Sequence, residues 1–429
     1  MENENFDIII VGSGAGGATL ARELARKERK SVIVLEKGKR ETSFGTLKDS
    51  VRYYDGNSFT RQPAKSKEGV ILWRTFMAGG STFVSCGNGV RCLEPELKEH
   101  GFDLSEEFKE AENEMRIKPM NEKLLSDGTQ HLKDAAESLG YVFDPMPKFI
   151  DPDKCTGCAR CVFGCVHGAK WTAMEYIDEA QKKGVEIRYE HDVLSIETTH
   201  GRVSRITAKG PNGLVKLSAK IVVLAAGGLG TPVILQKAGI EGAGDGLFID
   251  ILVNTYGVTD GLNQVGEPPM ALVNHDFHKD QGFILSSFIN HPRGLRFIEM
   301  GAKALTQSSK TMLGIMTKTA DDASGNILPD GSISKGVTAS DQRRLKEGSS
   351  IAANILKHAG VRESTITTTK PQGAHPGGTA AIGRIVDKQL QTDIDGLFVC
   401  DASVLPRSPG LPPILTIVAL AKRLSKILA

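Results

Sequence analysis

Apolar residues at the start of the chain fall into two short unbroken runs, Ile8–Val11 and Val32–Leu35, separated by a glycine-rich turn and by a stretch, Ala18 to Lys27, with helical spacing. An unbroken run of this length, bounded by turn residues, is the pattern of a strand buried on both faces. Two of them joined by a helix predict a parallel βαβ unit. The same pattern returns at Ile221–Leu224, which runs into Gly227, Gly228 and Gly230 and then a helix, so this strand is expected beside the first.

Between these segments the pattern loosens. Residues 37–75 read as loop and short helix, and 103–140 as helical, with a start near Leu104 and a later turn at Ala135–Leu139. A helical period from Trp171 to Lys183 precedes a meander of strands at Val185–Tyr189, Val193–Ile196, Gly201 onward and Val215–Lys220. Beyond residue 247 come strand-like runs at Leu247–Val253, Met270–Val273 and Phe283–Leu285, a turn at Ile327–Ser332, and a long helix from about Ser340 to His358, capped by Ser340 or Asp341. The expected fold is α/β: a discontinuous Rossmann-like domain (1–246, with a Cys-rich insert at 150–172, resuming at 371–429) and a substrate domain, 247–370, on a mostly antiparallel sheet.

The first turn carries the chemistry. Gly12, Gly14 and Gly17 fit G-x-G-x-x-G after a strand and before a helix. The first glycine makes the tight turn, the second lets backbone approach a pyrophosphate, and the third lets helix pack on strand. The helix N-terminus presents unpaired N–H groups to phosphate. Glu36, at the end of the second strand, is placed to accept hydrogen bonds from a ribose. A ligand with an ADP moiety is expected here.

Composition narrows the function classes. A 429-residue chain with 40% hydrophobic and 24% charged residues is long enough for more than one domain, and its net charge of +2 gives no reason to expect nucleic acid. No apolar run approaches the roughly 18 residues that a membrane helix needs. Met1–Asn5 leads straight into the first strand with no signal-like segment, which predicts a cytoplasmic protein.

Four of the seven cysteines, Cys155, Cys158, Cys161 and Cys165, are spaced C-x-x-C-x-x-C-x-x-x-C. This is the bacterial ferredoxin spacing, with Val166 where proline is usual, and soft thiolates suit iron–sulfur or zinc. A [4Fe–4S] cluster is the expected occupant; zinc and metal-free packing are the alternatives. In two-cluster ferredoxins the fourth cysteine of such a run serves the other cluster, so Cys86 and Cys92 are candidates for a remote ligand.

Taken together these segments resemble the glucose-methanol-choline (GMC) oxidoreductases. Besides Gly12 to Glu36, the matching blocks are Ala78 to Asn88, Ala226 to Gly239, His375 to Gly383, Leu397 to Ser403 and Pro412 to Ala421. The resemblance implies FAD, with Gly79, Gly80, Ser81, Thr82 and Asn88 beside the isoalloxazine, Ala226, Asp401 and Ala402 on the cofactor, and Pro413 and Thr416 at a helix start aimed at the ring. It implies hydride transfer between a substrate carbon and the flavin, with His375 as the active-site histidine. The family's second histidine or asparagine falls at Pro412, which has no side-chain donor. His275, His278 and His291 are candidates to replace it. The chain is shorter than typical members, so its lids should be reduced.

The expected activity is therefore FAD-dependent oxidoreduction of a small organic hydroxyl or carbonyl compound, electrons passing through the cluster to or from a ferredoxin-like protein or redox subunit. Two alternatives stand: reduction of an activated C=C bond, and an electron-transfer subunit of a larger complex.

Overall fold

The computed structural model describes residues 4–27, 30–57 and 62–429. The expectations that touch residues 1–3 and 58–61, the direct N-terminal lead and part of the 37–75 connection, lie outside the described residues.

The chain opens with β1 (Glu4–Val11), α1 (Ala15–Ala25) and β2 (Val32–Leu35), with all four apolar residues of each run buried. Later come α2 (Ala173–Lys182), β3 (Glu186–Arg188), β4 (Asp192–Thr199), β5 (Arg202–Gly210), β6 (Gly213–Leu224) and α3 (Gly227–Lys237). The sheet order is β4-β5-β6-β1-β2-β3. β1 lies parallel to both β6 and β2, and β2 parallel to β3. The two expected strands at 215–220 and 221–224 are one twelve-residue strand. Its first half pairs antiparallel with β5, in the register Arg205 to Ser218, while its last residues pair parallel with β12 (Leu397–Val399). The C-terminal helix α5 (Ile414–Leu428) packs on α1, burying Leu415, Ile417, Leu420 and Leu424. Each such side chain contributes about 1.5–3 kcal/mol.

A second sheet carries β7 (Leu252–Val258), β8 (Leu272–Asn274), β9 (Phe283–Ser287), β10 (Met312–Thr319) and β11 (Gln372–Gly373) in the order β11-β7-β10-β9-β8. These neighbours are antiparallel, and every residue of β7 and β10 is buried. Short strands from earlier in the chain, Ile71–Leu72 beside β11 and Asp144–Pro145 beside β8, extend it. The helix α4 (Ala339–His358) covers β7 and β10. Its cap is Thr338 rather than Ser340 or Asp341: the Thr338 hydroxyl accepts from Asp341 N, and the Asp341 carboxylate accepts from Thr338 N, a reciprocal capping box.

The run expected as one strand over 247–253 is broken. Asp250 has φ 51°, and the backbone of Phe248 and Ile249 turns to bond Gly377, Ala374 and His375 instead. The buried Asp321 carboxylate accepts from Ile249 N and Ile251 N and pairs with Lys335 at 2.7 Å. This pair holds the break in place. Among the described residues no helix is long and apolar enough to cross a membrane.

Candidate active site

The two sheets share a cavity of about 570 Å³, lined from the α1 end by Gly12–Gly16 and Glu36 and from the C-terminal end by His375, Asp401, Ala402 and Pro412–Ile414. That volume is in the range of organic-ligand sites.

The glycines divide by what a methyl group would strike. At Gly12, φ 102°, a Cβ would sit 2.3 Å from Ala225 O, and at Gly17 it would sit 2.0 Å from Gly12 O. These two set strand and helix packing, and Gly17 does not reach the cavity. Gly14 has nothing within 4 Å in that direction, so it leaves open the space at the head of α1. Gly16, outside the fingerprint, is the tightest: a Cβ would come 1.8 Å from Cys400 O. No motif spacing announces it, because the close approach comes from the residue that follows β12, 384 residues away.

Glu36 is buried. Its Oε2 accepts from Ser13 N at 2.9 Å and Ser13 Oγ at 2.6 Å, and its Oε1 from Gly38 N at 2.7 Å. Burial pushes its pKa up and these donors pull it back. The carboxylate thus ties the glycine turn to the end of β2 while still lining the cavity.

The 79–88 wall lies against that turn. Gly79 N donates to Ser13 Oγ at 3.0 Å, and a Cβ on Gly80 would meet Gly14 Cα at 3.1 Å. Gly80, Ser81, Thr82 and Asn88 line the cavity, whereas Gly79 is one step behind it. Thr82 Oγ donates to Gly79 O and accepts from Ala173 N, anchoring the wall to α2. Asn88 Oδ1 accepts from Lys148 Nζ at 2.6 Å.

Asp401 is satisfied by protein groups. One oxygen accepts from Gly227 N and Thr231 Oγ, the other from Ser403 N and Ser403 Oγ, joining the start of α3 to the loop after β12. Ala226 and Ala402 line the cavity on either side. Pro413 caps α5 and lines it as well. Thr416 does not: its hydroxyl accepts from Cys92 N and donates to Cys92 O, a clamp across 324 residues.

His375 stands at the far end. Its Nδ1 is 2.8 Å from Asp250 Oδ2, and Asp250 Oδ1 accepts from Ser408 Oγ at 2.7 Å and Gly410 N at 3.0 Å. A buried carboxylate so placed fixes the proton on Nδ1 and leaves Nε2 as the free nitrogen. Burial lowers the His375 pKa and the nearby Lys318 charge lowers it further, while Asp250 raises it. Lys318 Nζ lies 3.5 Å from His375 Nδ1 and lines the same cavity.

His275, His278 and His291 do not line the cavity. His278 bonds Pro409 O, and burial lowers His291 to about 4. Around Glu299 a polar cluster closes one wall: Asn254, Asn290 and Gln372 amides and the Tyr256 hydroxyl all donate to its carboxylate.

Cys155, Cys158, Cys161 and Cys165 line one small separate cavity with Lys170 and His167. Cys158 is exposed, Cys161 is buried with its thiol pushed up to about 12, and all seven cysteines are free. Among the described residues no three His, Cys, Asp or Glu side chains are arranged to hold a metal ion. Cys86 and Cys92 do not line this pocket; Cys86 lines the large cavity instead, as does Val162 of the cysteine loop. Two lysines cross the partition. Lys148, lowered by burial to about 8, donates to Cys86 O, Asn88 Oδ1 and Pro269 O, and Lys170 to Phe83 O, Ser85 O and Cys161 O.

Models of the GMC oxidoreductase family match residues 6–254 and 294–421. The chain belongs to the GMC oxidoreductases. An uncharacterized protein of Methanocaldococcus jannaschii is 32% identical over 97% of this chain and 98% of its own length. A long-chain-alcohol oxidase of Arabidopsis thaliana is 23% identical over 97% of this chain and 66% of its own. Among solved structures, formate oxidase of Aspergillus oryzae RIB40 superposes with a TM-score of 0.76 at 15% identity, covering 100% of this chain and 98% of that one, a likeness of fold. As a GMC member the chain is an FAD-dependent oxidoreductase, and the cavity fits that cofactor: open space at Gly14, the free N-terminus of α1 and the acid at Glu36 meet the needs of a dinucleotide.

Proposed function

We propose that this GMC enzyme moves a hydride between the hydroxyl- or carbonyl-bearing carbon of a small organic substrate and FAD, with His375 holding the proton. The observation that carries this reading is the pairing of His375 with the buried Asp250 at the end of the cavity. In the oxidising direction Nε2 takes the hydroxyl proton, and in the reducing direction it returns it; Asp250 orients the ring and stabilises the imidazolium. Bound FAD supplies the two-electron acceptor. Gly12, Gly14, Glu36 and the wall of Gly80, Ser81, Thr82 and Asn88 are the residues proposed to embrace it, with Ala226, Asp401, Ala402 and Pro413 on its other side. Gly17, Gly79 and Thr416 support these groups from behind. The substrate domain at 247–370 contributes β7 and β10 to the floor. His375→Ala is expected to retain FAD and lose turnover by about 10²–10⁴-fold. A variant with the wild-type rate removes His375 from the reaction.

The proposal extends to the cysteines. Four thiols of ferredoxin spacing around one pocket are a donor set for a [4Fe–4S] cluster, which when bound would exchange single electrons with a ferredoxin-like protein or redox subunit in the cytoplasm. Support comes from Lys148 and Lys170: two buried ammonium groups whose acceptors are neutral oxygens suit an anionic tetrathiolate nearby. Iron and acid-labile sulfide on anaerobically purified protein test this. About four irons per FAD support it, and FAD without iron leaves the cysteine loop as packing around Ile150 and Ala169.

A further inference from the structure

The family's second active-site side chain has no counterpart at Pro412, yet the cavity holds a polar group beside His375 that no sequence motif marks. Lys318 lies on β10 directly opposite Leu252 of β7, and Met316 directly opposite Asn254. All four line the cavity, as alternation along a strand requires of residues two apart. Gln372, opposite Leu252 on β11, completes this floor. Lys318 is therefore carried on a central, fully buried strand rather than on a mobile loop.

Lys318 is 2% exposed, and its ammonium lies 3.5 Å from His375 Nδ1. That nitrogen is already committed, because its proton goes to Asp250 at 2.8 Å and so it has no lone pair to offer. The ammonium is thus balanced in charge by Asp250, which is bonded to the same ring nitrogen, but among the described residues its three N–H donors have no oxygen acceptor. A buried ammonium left in that condition is costly, and the space in front of it is the cavity. Burial also lowers its pKa, as expected for a cation held from water without a direct carboxylate contact.

We propose that Lys318 is the second catalytic group, donating a hydrogen bond to the reacting oxygen of the substrate while His375 Nε2 exchanges its proton. The inference rests on the hydride-transfer reading above. In the oxidation the carbinol C–H bond would break and its electron pair would leave with the hydride, for which bound FAD would be the two-electron acceptor. The O–H proton goes to Nε2, and the C–O bond becomes C=O. Lys318 keeps all its protons throughout and stabilises the negative charge that builds on oxygen as the proton departs. Reduction of the carbonyl reverses each transfer. A donor preorganised in this way acts in a water-poor site, where removing one such contact typically lowers the rate by about 10²–10³-fold. The lysine also makes a hydroxyl or carbonyl oxygen, rather than an apolar C=C bond, the group this end of the cavity is built to receive.

The test uses sulfite, an oxyanion that adds reversibly to flavin N5 and bleaches the visible flavin absorbance, on the FAD-loaded enzyme. Lys318→Met is expected to keep FAD and to weaken sulfite binding by at least about tenfold, with Lys318→Arg retaining most of the affinity. Equal sulfite affinity in wild type and Lys318→Met overturns the assignment. Should Lys318→Met not retain FAD, the wild-type holoenzyme decides. Its sulfite affinity, corrected for the ionisation of sulfite itself, falls as rising pH removes the Lys318 proton, and a flat alkaline limb overturns the assignment. The two readings separate cleanly. Lys318-dependent sulfite binding without flavin reduction by any of a panel of alcohols sinks the hydride reading alone, whereas alcohol turnover undiminished in Lys318→Met sinks the role of Lys318 alone.

Discussion

Asp250 and His375, 125 residues apart, meet at 2.8 Å because the strand expected over 247–253 breaks at Asp250 and hands its backbone bonds to the His375 loop. The left-handed conformation at Asp250 is what turns its carboxylate toward the imidazole. Asp250→Asn preserves the shape but cannot anchor the Nδ1 proton as firmly, so turnover should fall by at least about tenfold with FAD content unchanged. Steady-state rates and the flavin to protein ratio on the same sample check this.

The pH dependence follows from the same pair. His375 titrates below the ordinary histidine value of 6.5, and the oxidation needs it neutral. The acid limb of kcat/KM for an alcohol substrate should therefore lie below about 6.5. Asp250 is the group that raises the histidine, so Asp250→Asn should move the limb lower still. Stability carries the matching sign: the depressed histidine contributes stability above about 6.5, lost as pH falls through its folded value, because the unfolded chain binds the proton first.

Two neighbouring glycines should fail in different ways. Gly14 has φ −69°, which any residue adopts, and open space beyond it, so Gly14→Ala is expected to fold and to lose FAD affinity. Gly16→Ala places a methyl 1.8 Å from Cys400 O and should not yield folded protein. Circular dichroism and FAD titration on the two variants separate the outcomes. A folded Gly16→Ala with normal FAD binding contradicts the geometry.

Thr416→Val tests whether that hydroxyl serves the cofactor or the frame. It removes the bonds to Cys92 N and Cys92 O and leaves both buried and unpaired, at a cost of roughly 1–3 kcal/mol each. A lowered Tm with unaltered FAD affinity is expected, and the reverse pattern would return Thr416 to the cofactor.

Lys335→Met should destabilise by about 3–5 kcal/mol near neutral pH, since it strands the buried Asp321 carboxylate. Burial pushes Asp321 up to about 6, above the ordinary aspartate value of 3.8. Its protonated form is the one the fold prefers, so the stability it allows is present below the unfolded value and lost as pH rises through 6. The loss of Tm in the variant should accordingly be greater at about pH 8 than at about pH 5, as differential scanning calorimetry would show.

How much of this was legible in the sequence depends on where the information lay. The βαβ start was readable because unbroken apolar runs, glycines and an acid sit within thirty residues of one another, and His375 because its block resembles the family. Lys318 was not readable. Its strand, Met312–Thr319, mixes glycine, threonine and lysine with apolar residues, and only its central place in the sheet buries all eight. Asp250 looked like one residue of a strand, since the break that aims it is enforced by Asp321 and Lys335, seventy and more residues downstream. Glu36 and Asp401, expected to hold the cofactor, both line the cavity, and their oxygens brace loops. Such bracing is a long-range fact that local spacing does not encode.

The twelve residues of β6 serve three partners, β1 at the start of the fold, a hairpin strand just before it and β12 about 175 residues later, while α5 closes over α1. A ribosome must therefore have made β12 and α5 before the cofactor half that β1 opens can be completed. During that interval β1, β2 and β6 have apolar surface and unsatisfied edges waiting for partners. Newly made protein should consequently depend on chaperones, and truncations from the C-terminus, even by the length of α5, should yield an open and aggregating flavin domain instead of a smaller working one.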